Sequence, residues 1–556
     1  MNKKEIQAAP KNFIEIPSGK RTRQYRFFEM LPAFLSYGAI LLLVVLSIFA
    51  PLLAAIYLLL FVFTLLMKAA LVAFQVSGAS RILIAAKKVD WRGRLNDLED
   101  PKASLVTVQP NKTWNSALHR DNLAWIAAET ATYPKPSELY HAIIIATYNE
   151  GFEILEPTVQ SLLESDYDPE RMIVVVAYEE RGGEAIEHTV ARLTETYGNK
   201  FKTFLAVKHP ADIPNEVIGK GGNITYAGYE LAHWLDEQNI EYKNVIVTTL
   251  DADNRPHPGY FSYVAYEYIV NPYRKQRSYQ PIALYFTNIW DAPAPMRVIA
   301  TGNSFWNITV SMRPHALRNF ASHSQPMDAL VEMDFWSTRT VVEDGHQYWR
   351  SYFHFKGDYS VVPIHVPIDQ DAVLAATYWK TLKAQFIQLR RWAYGASDVP
   401  YVAVQLFDRH RKAPFWQTFG QWIRLIDSHL TWAISAFIVT FGAWVPLLLN
   451  QYSSRSIVAH ELPDFISTLQ RIALLALFVS VFWAFKLLPP RPARYKRHRT
   501  VFMLAQWFLM PITSIVYNAL SAFVSQTRLL FGRYLEKFDV TDKAVKPERK
   551  SKKAKA

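Results

Sequence analysis

The chain of 556 residues contains no cysteine. Disulfides, thiolate catalysis and cysteine–zinc sites are excluded with it. The absence assigns no compartment, because a protein without disulfides can live anywhere. Charge is also missing from Leu31 to Met67, a stretch dense in Leu, Ile, Val, Phe and Ala. A signal peptide starts its apolar core earlier and ends at a small-residue cleavage site. Here about 30 polar residues with seven Lys or Arg come first, so the stretch reads as an uncleaved anchor. Internal repeats and low-complexity segments are lacking apart from a basic tail.

Half of the residues are apolar and the net charge is +12. A basic chain suits nucleic acid, an anionic membrane surface or a phosphorylated substrate. The basic residues cluster at the edges of apolar runs and in the tail, where anionic lipid explains them and nucleic acid does not. A spanning helix needs about 20 apolar residues. Two fit at 31–50 and 52–76, turning at Ala50-Pro51, and two more at 430–450 and 469–488. The connection 451–468 has one Arg, whereas 489–500 carries Arg491, Arg494, Lys496, Arg497 and Arg499. Positive residues mark the cytoplasmic side. The N-terminus, 77–428 and 489–500 are therefore expected in the cytoplasm, with four crossings of the plasma (inner) membrane. Pro511 interrupts a fifth apolar stretch, 501–525, and Gln506, Thr513, Ser514, Asn518 and Ser521 dilute it. It reads as an interfacial or re-entrant element. The expected organisation is a basic segment 1–30, membrane helices in 31–76, a linker 77–139, a catalytic domain 140–410 with interfacial helices, membrane helices in 411–488, a basic loop and interfacial helix 489–527, and a tail 528–556.

Short β-rich runs alternate with helical spacing between 140 and 250. His141–Thr147, Met172–Ala177, Phe204–Val207 and Asn244–Leu250 read as strands; 155–164, 184–197 and 221–236 read as helices. Such alternation argues for a mostly parallel sheet with helices on both faces. Ligands bind such sheets beyond the carboxyl ends of the strands.

Thr147-Tyr148-Asn149-Glu150 follows the first strand, and Asp251-Ala252-Asp253 the fourth. Two carboxylates so spaced can hold a divalent cation through one and meet a ribose or a metal-bound water through the other. Mg²⁺ favours one or two carboxylates with water and substrate phosphates in the remaining positions. The triplets Asp166/Asp168 and Asp369/Asp371 read instead as solvated loop or cap residues. Asp344, in Val341-Val342-Glu343-Asp344-Gly345, is either a general base or the acid of a helix N-terminus. Gln388-Leu389-Arg390-Arg391-Trp392 could grip a pyrophosphate and offer a flat face to a sugar ring, or form a basic amphipathic helix on a membrane.

The order Thr-Tyr-Asn-Glu, Asp-x-Asp, Glu-Asp, Gln-x-x-Arg-Trp resembles the inverting family 2 glycosyltransferases. The membrane flanks narrow this to the cellulose synthase and hyaluronan synthase branch. Phe538-Asp539-Val540-Thr541-Asp542-Lys543 is similar to the gating loop of bacterial cellulose synthases. The resemblance covers 140–395 and 500–545. It implies an α/β GT-A (Rossmann-like) cytoplasmic catalytic domain combined with an all-α transmembrane part. It further implies a UDP-linked sugar donor, Mg²⁺ or Mn²⁺, and a growing β-linked polysaccharide as acceptor; transfer of one sugar to a lipid-linked acceptor is the alternative. An inactive scaffold or export partner is the reading of another class, and a homo-oligomer stays open. By the same resemblance Tyr148 and Glu150 would lie against the base and Lys220 would meet the donor. Asp251 would touch the nucleotide and Asp253 the metal. Asp344 would be the base, Gln388 and Arg391 would hold the pyrophosphate, and Trp392 the acceptor sugar. Thr541 and Lys543 would close over the donor phosphates. Departures from the family pattern are Tyr178-Glu179-Glu180 in place of an Asp after the second strand, and Ala300-Thr301-Gly302-Asn303-Ser304 where cellulose synthases have Phe-Phe-Cys-Gly-Ser.

Overall fold

A computed structural model describes residues 15–129, 133–450 and 457–537 of the protein. The chain begins with two long apolar helices, α1 (Arg23–Phe49) and α2 (Pro51–Ala86). Thr22 caps α1 through its hydroxyl, and Pro51 opens α2 where its missing N–H costs nothing. Residues 87–129 carry three short helices, α3 (Trp91–Asp97), α4 (Pro101–Thr107) and α5 (Ser116–Ala128). This segment, expected as a linker, is packed: the buried Trp91 ring stacks on Tyr263 at 3.5 Å and 9°.

The α/β domain follows in the order β1 (Tyr140–Thr147), α6 (Phe152–Leu163), β2 (Met172–Glu179), α7 (Gly183–Tyr197), β3 (Thr203–His209), α8 (Lys220–Glu237) and β4 (Val245–Asp251). The expected strands and helices are all present within a few residues of their anticipated limits. Burial explains why. Ala142 to Ile145 are fully buried, with Ile143 and Ile145 turned to α6 and α7, and Ala142 and Ile144 turned to α8. A strand covered on both faces reads as a continuous apolar run. Each such isoleucine contributes roughly 1.5–3 kcal/mol by burial.

The second half was not anticipated. It comprises β5 (Arg255–Pro256), α9 (Tyr260–Val270), β6 (Arg277–Leu284), α10 (Ala294–Ser311), β7 (Ser324–Pro326), α11 (Met327–Glu332), α12 (Glu343–His354) and β8 (Ser360–Asp369), then α13 (Tyr378–Ala393) and α14 (Asp398–Leu406). The sheet order is β3-β2-β1-β4-β7-β6-β8-β5. Strands β3, β2, β1 and β4 are parallel, β7 is antiparallel to both β4 and β6, and β6 is parallel to β8. The sheet is thus mixed, with its four long ladders parallel as expected and the short strands β7 and β5 antiparallel to their neighbours. Pro281 in β6 and Pro363 and Pro367 in β8 conceal these strands, because proline ordinarily argues against a central strand. The structure takes up the irregularity as a register shift between Pro281 and Ile282.

Beyond the domain lie α15 (Phe415–Phe441), α16 (Val445–Leu449) and α17 (Ile457–Leu487). Among the described residues, five helical stretches are long and apolar enough to cross a membrane: Arg23–Phe49, Pro51–Ala86, Phe415–Leu449, Glu461–Leu487 and His498–Leu530. The fifth is broken by a 3₁₀ turn at Gln506–Leu509 and a π turn at Ser514–Ala519. It lies along the α/β domain. Arg499 donates to the Trp290 carbonyl (3.0 Å), Arg297 Nε to Gln506 Oε1 (2.5 Å), and Ser525 Oγ to the Arg390 carbonyl (2.5 Å). Phe502, Phe508 and Ile512 face outward from it.

Candidate active site

Parallel pairing sets the site. Ala146 is opposite Asp251, and Thr147 opposite Tyr178, so the turn after β1, the acids after β4 and the exit of β2 open on one edge. Glu150 organises the first turn: its Oε2 accepts from Thr147 Oγ1 (2.8 Å) and from the amides of Tyr148 (2.9 Å) and Asn149 (3.2 Å). Tyr148 therefore presents its ring while Glu150 shapes the backbone. The Arg181 guanidinium covers that ring at 5.1 Å and is paired with the buried Glu179. The unusual Tyr178-Glu179-Glu180 thus supplies an ion pair beside Tyr148.

Helix α8 begins at Lys220, where the partial positive charge of a helix start favours anions. Lys220 Nζ lies 2.6 Å from Asp251 Oδ1. A Cβ at Gly221 would collide with the Ser337 carbonyl and lie 3.2 Å from Glu343 Cβ, so only glycine lets α8 approach the start of α12 so closely. Glu343 and Asp344 form the first turn of α12, and Asp344 accepts from the Gly345 amide at 2.7 Å. Asp344 is therefore a helix N-terminal acid and also part of the charged cluster. Burial raises the pKa of Glu343, and neighbouring Asp344 adds to this. Burial also raises Asp344, against the pull of Lys220 and Arg391. Burial opposes the Lys220 charge, but Asp251, Glu343 and Asp344 outweigh it and hold its pKa up.

Gln388, Arg391 and Trp392 sit on the last turns of α13. Gln388 Oε1 accepts from Gln385 Nε2 (3.1 Å), and the Trp392 ring lies 6.0 Å from that of Tyr285. The structure brings together Lys220, Asp251, Asp344 and Arg391. Thr541 and Lys543 lie outside the described residues.

Asp253 is 8% exposed at the turn after β4. The Asp371 amide lies 3.4 Å from its Oδ2. This corrects the reading of Asp369/Asp371 as solvated residues: Asp369 ends β8, and Asp371 follows it into the site. Asp166 is not solvated either, since it accepts from Ser262 Oγ at 2.6 Å, whereas Asp168 does cap a turn through Glu170 N at 3.0 Å. Tyr285 was missed altogether. It follows β6, and its phenol is pushed up by burial and then by Asp251, Asp344 and Asp253. No motif marks it; only recognition of β6 as a strand would have found it. The Ala300–Ser304 segment belongs to α10, where Ser304 Oγ accepts from the Tyr285 amide at 2.9 Å.

Among the described residues no group of three or more His, Asp or Glu forms a metal cage. The donor set of the Asp251–Asp253 turn still fits Mg²⁺ or Mn²⁺. Such a cation takes one or two carboxylates and completes its shell with water and phosphate oxygens.

No family model matches the chain, and no curated protein matches it. Among solved structures it is similar to a mannosyltransferase from Pyrobaculum calidifontis in complex with GDP-Man and Mn²⁺, at 17% identity and a TM-score of 0.38, over 77% of this chain and 99% of that one. It is also similar to S. aureus TarS, at 9% identity and a TM-score of 0.31, over 70% of this chain and 55% of that one. TarS 1–349 in complex with UDP-GlcNAc aligns at 10% identity and a TM-score of 0.33, over 71% of this chain and 93% of that one. The α/β architecture itself rests on the sheet order and the helices that cover it.

Proposed function

We propose that the protein is a membrane-bound inverting glycosyltransferase of the family 2 type, using a nucleotide diphosphate sugar, UDP-linked, to extend a β-linked polysaccharide. The observation that carries this is the convergence of Lys220, Asp251, Glu343, Asp344 and Arg391 at the carboxyl edge of the parallel strands β1, β2 and β4. A buried acid, Glu343, and two half-buried ones, Asp251 and Asp344, beside two cations suit a reaction in which a diphosphate leaves and a hydroxyl loses a proton.

Tyr148 would stack on the base, and Asp251 would meet the nucleotide. Asp253 would hold the cation, with the Asp371 segment beside it. The cation, when bound, supplies Lewis-acid stabilisation of the leaving diphosphate. Gln388, Arg391 and Lys220 would bind the pyrophosphate and stabilise its growing charge. Asp344 would take the proton of the acceptor hydroxyl as its oxygen bonds to the anomeric carbon. The bond from that carbon to the phosphate oxygen breaks, and the diphosphate leaves with the electron pair. One displacement from the opposite face turns an α-linked donor into a β-linked product. Trp392 and Tyr285 would offer the acceptor sugar its apolar faces.

Four crossings, with 498–530 lying along the inner surface, would keep both ends of the chain and the domain in the cytoplasm. The test is nucleotide diphosphate release from UDP- and GDP-sugars by purified protein in lipid, with chelator, Mg²⁺ or Mn²⁺, and sizing of the product. Turnover of one donor, lost with chelator and restored by cation, together with a long product, is expected. A product of a single sugar on lipid would replace polymer synthesis by single transfer. Absence of release from every donor would refute the reading.

A further inference from the structure

The start of α1 buries a carboxylate: Glu29 is 2% exposed. A buried charge is costly unless it is paired, so its partners define a built network. Arg21 Nε lies 3.1 Å from Glu29 Oε1, and Arg26 bonds to Oε2. The Tyr534 hydroxyl donates to the same Oε2 at 2.9 Å. Arg26 also donates to the carbonyls of Leu529 and Leu530, each at 2.8 Å, at the end of the broken helix. The Arg21 guanidinium lies over the Tyr534 ring at 4.1 Å. One carboxylate and two guanidinium groups thus join the first turns of α1 to the far end of the chain.

The three residues after Tyr534 run along the active site. The Leu535 amide donates to the Tyr394 hydroxyl at 3.3 Å, and the Leu535 side chain packs in a buried cluster with Val341 and Val342. The Ile218 amide donates to the Glu536 carbonyl at 3.2 Å, and Ile218 pairs with Lys537 in a parallel bridge. Val342 immediately precedes Glu343-Asp344. Ile218 stands two residues before Lys220, and Tyr394 two residues after Trp392. A single short segment therefore touches all three stretches that bring the acids, the lysine and the arginine together.

We propose that Arg21, Arg26, Glu29 and Tyr534 are positioning residues. They fasten residues 534–537 to the start of α1, and through that segment they hold the stretches bearing Lys220, Asp344 and Arg391 in register. The catalytic consequence rests on the transfer reaction proposed above; the fastening does not. The polar start of α1 is then a structural part of the active site as well as the edge of a membrane anchor.

The absence of cysteine makes this directly measurable. In full-length protein in lipid, Ile218→Cys with Lys537→Cys should form a disulfide under mild oxidation. Adding Glu29→Gln or Tyr534→Phe should slow that cross-linking several-fold. In the cysteine-free background the same changes should lower kcat roughly tenfold with little change in donor KM, as misplaced groups do. Arg26→Lys, which keeps the charge but cannot reach both carbonyls in a fixed fork, should act in the same direction more weakly. Ile143→Ala, a core change remote from the network, should leave cross-linking of the folded fraction unaltered, which separates positioning from loss of fold. Unchanged cross-linking with Glu29→Gln and Tyr534→Phe overturns the proposal. Slowed cross-linking with unchanged kcat overturns the positioning role. If the unmutated protein turns over no donor, the transfer reading fails, and the cross-linking rate alone decides the fastening.

Discussion

The two halves of the sheet are built differently. In the β3-β2-β1-β4 half the strands are parallel and joined by helices, β1 through α6 to β2, β2 through α7 to β3, and β3 through α8 across to β4, and the candidate site residues lie at or beyond the strand ends: Tyr148 after β1, Lys220 at the start of α8, Asp251 ending β4. In the β7-β6-β8-β5 half, strands of mixed direction are assembled from distant segments, and the candidate site residues sit on helices: Asp344 on α12 between β7 and β8, Arg391 on α13 after β8. In the proposed reading the first half is a donor platform, to which the second adds Asp344 and Arg391. Lys220–Asp251 lies within the first half, yet its electrostatics depend on Glu343 and Asp344 from the second.

Five measurements test this contrast. Asp344→Asn should have the largest effect: loss of the base should reduce turnover by ~10³-fold, within the range for general base catalysis, while donor binding by calorimetry stays nearly intact. Substantial transfer by this variant would remove the second half from the chemistry. The kcat–pH profile belongs with it. Because the Asp344 pKa is raised, kcat should fall as pH drops through a value above the ordinary carboxylate range. An acid limb at the ordinary value would break the assignment.

Lys220→Met should come next. It removes the cation facing three acids and should weaken donor affinity by about 100-fold, in keeping with loss of a charge-assisted contact worth ~1.5–3 kcal/mol. Equal affinity in mutant and parent would mean that the donor platform lies elsewhere. Ile143→Ala tests scaffold against site. A cavity in the fully buried strand should cost ~2–5 kcal/mol of stability, read as a lowered Tm, with turnover per folded molecule within about twofold of the parent. A selective loss of kcat would couple the core to the chemistry.

The smallest effect is expected from Glu343→Gln, read as stability. The folded pKa of Glu343 is raised, so its favourable contribution is present below the ordinary carboxylate pKa and is lost as pH rises through the raised value. The substitution should therefore raise Tm at neutral and alkaline pH and not at acid pH. A Tm gain independent of pH would show that the burial of charge is not the cause.

Much of the first half was legible because its signals are local. Strand β1 is a β-branched run, and Thr147-Tyr148-Asn149-Glu150 follows it without a gap. The second half was obscured where proline enters the strands. Pro281 and Pro367 made β6 and β8 unreadable, and with them Tyr285 and the Asp369-to-Asp371 exit. Asp344 could be singled out, but its two readings could not be separated along the chain, since a helix N-terminal acid and a buried base have the same sequence. Glu150 was identified as a site residue without any sign that its carboxylate organises the turn.

The long apolar helices, the alternating α/β core and the residue types available for chemistry can all be read along the chain, because burial periodicity and hydrophobic length act over neighbouring residues. Folding alone makes Lys220 face Asp251, Glu343 and Asp344, sets β7 and β5 against the direction of the other strands, and pairs Glu29 near one end of the chain with Tyr534 near the other. These are contacts between segments tens to hundreds of residues apart. Their energy comes from charges and hydrogen bonds brought together in a buried place, and no pattern along the chain records that meeting.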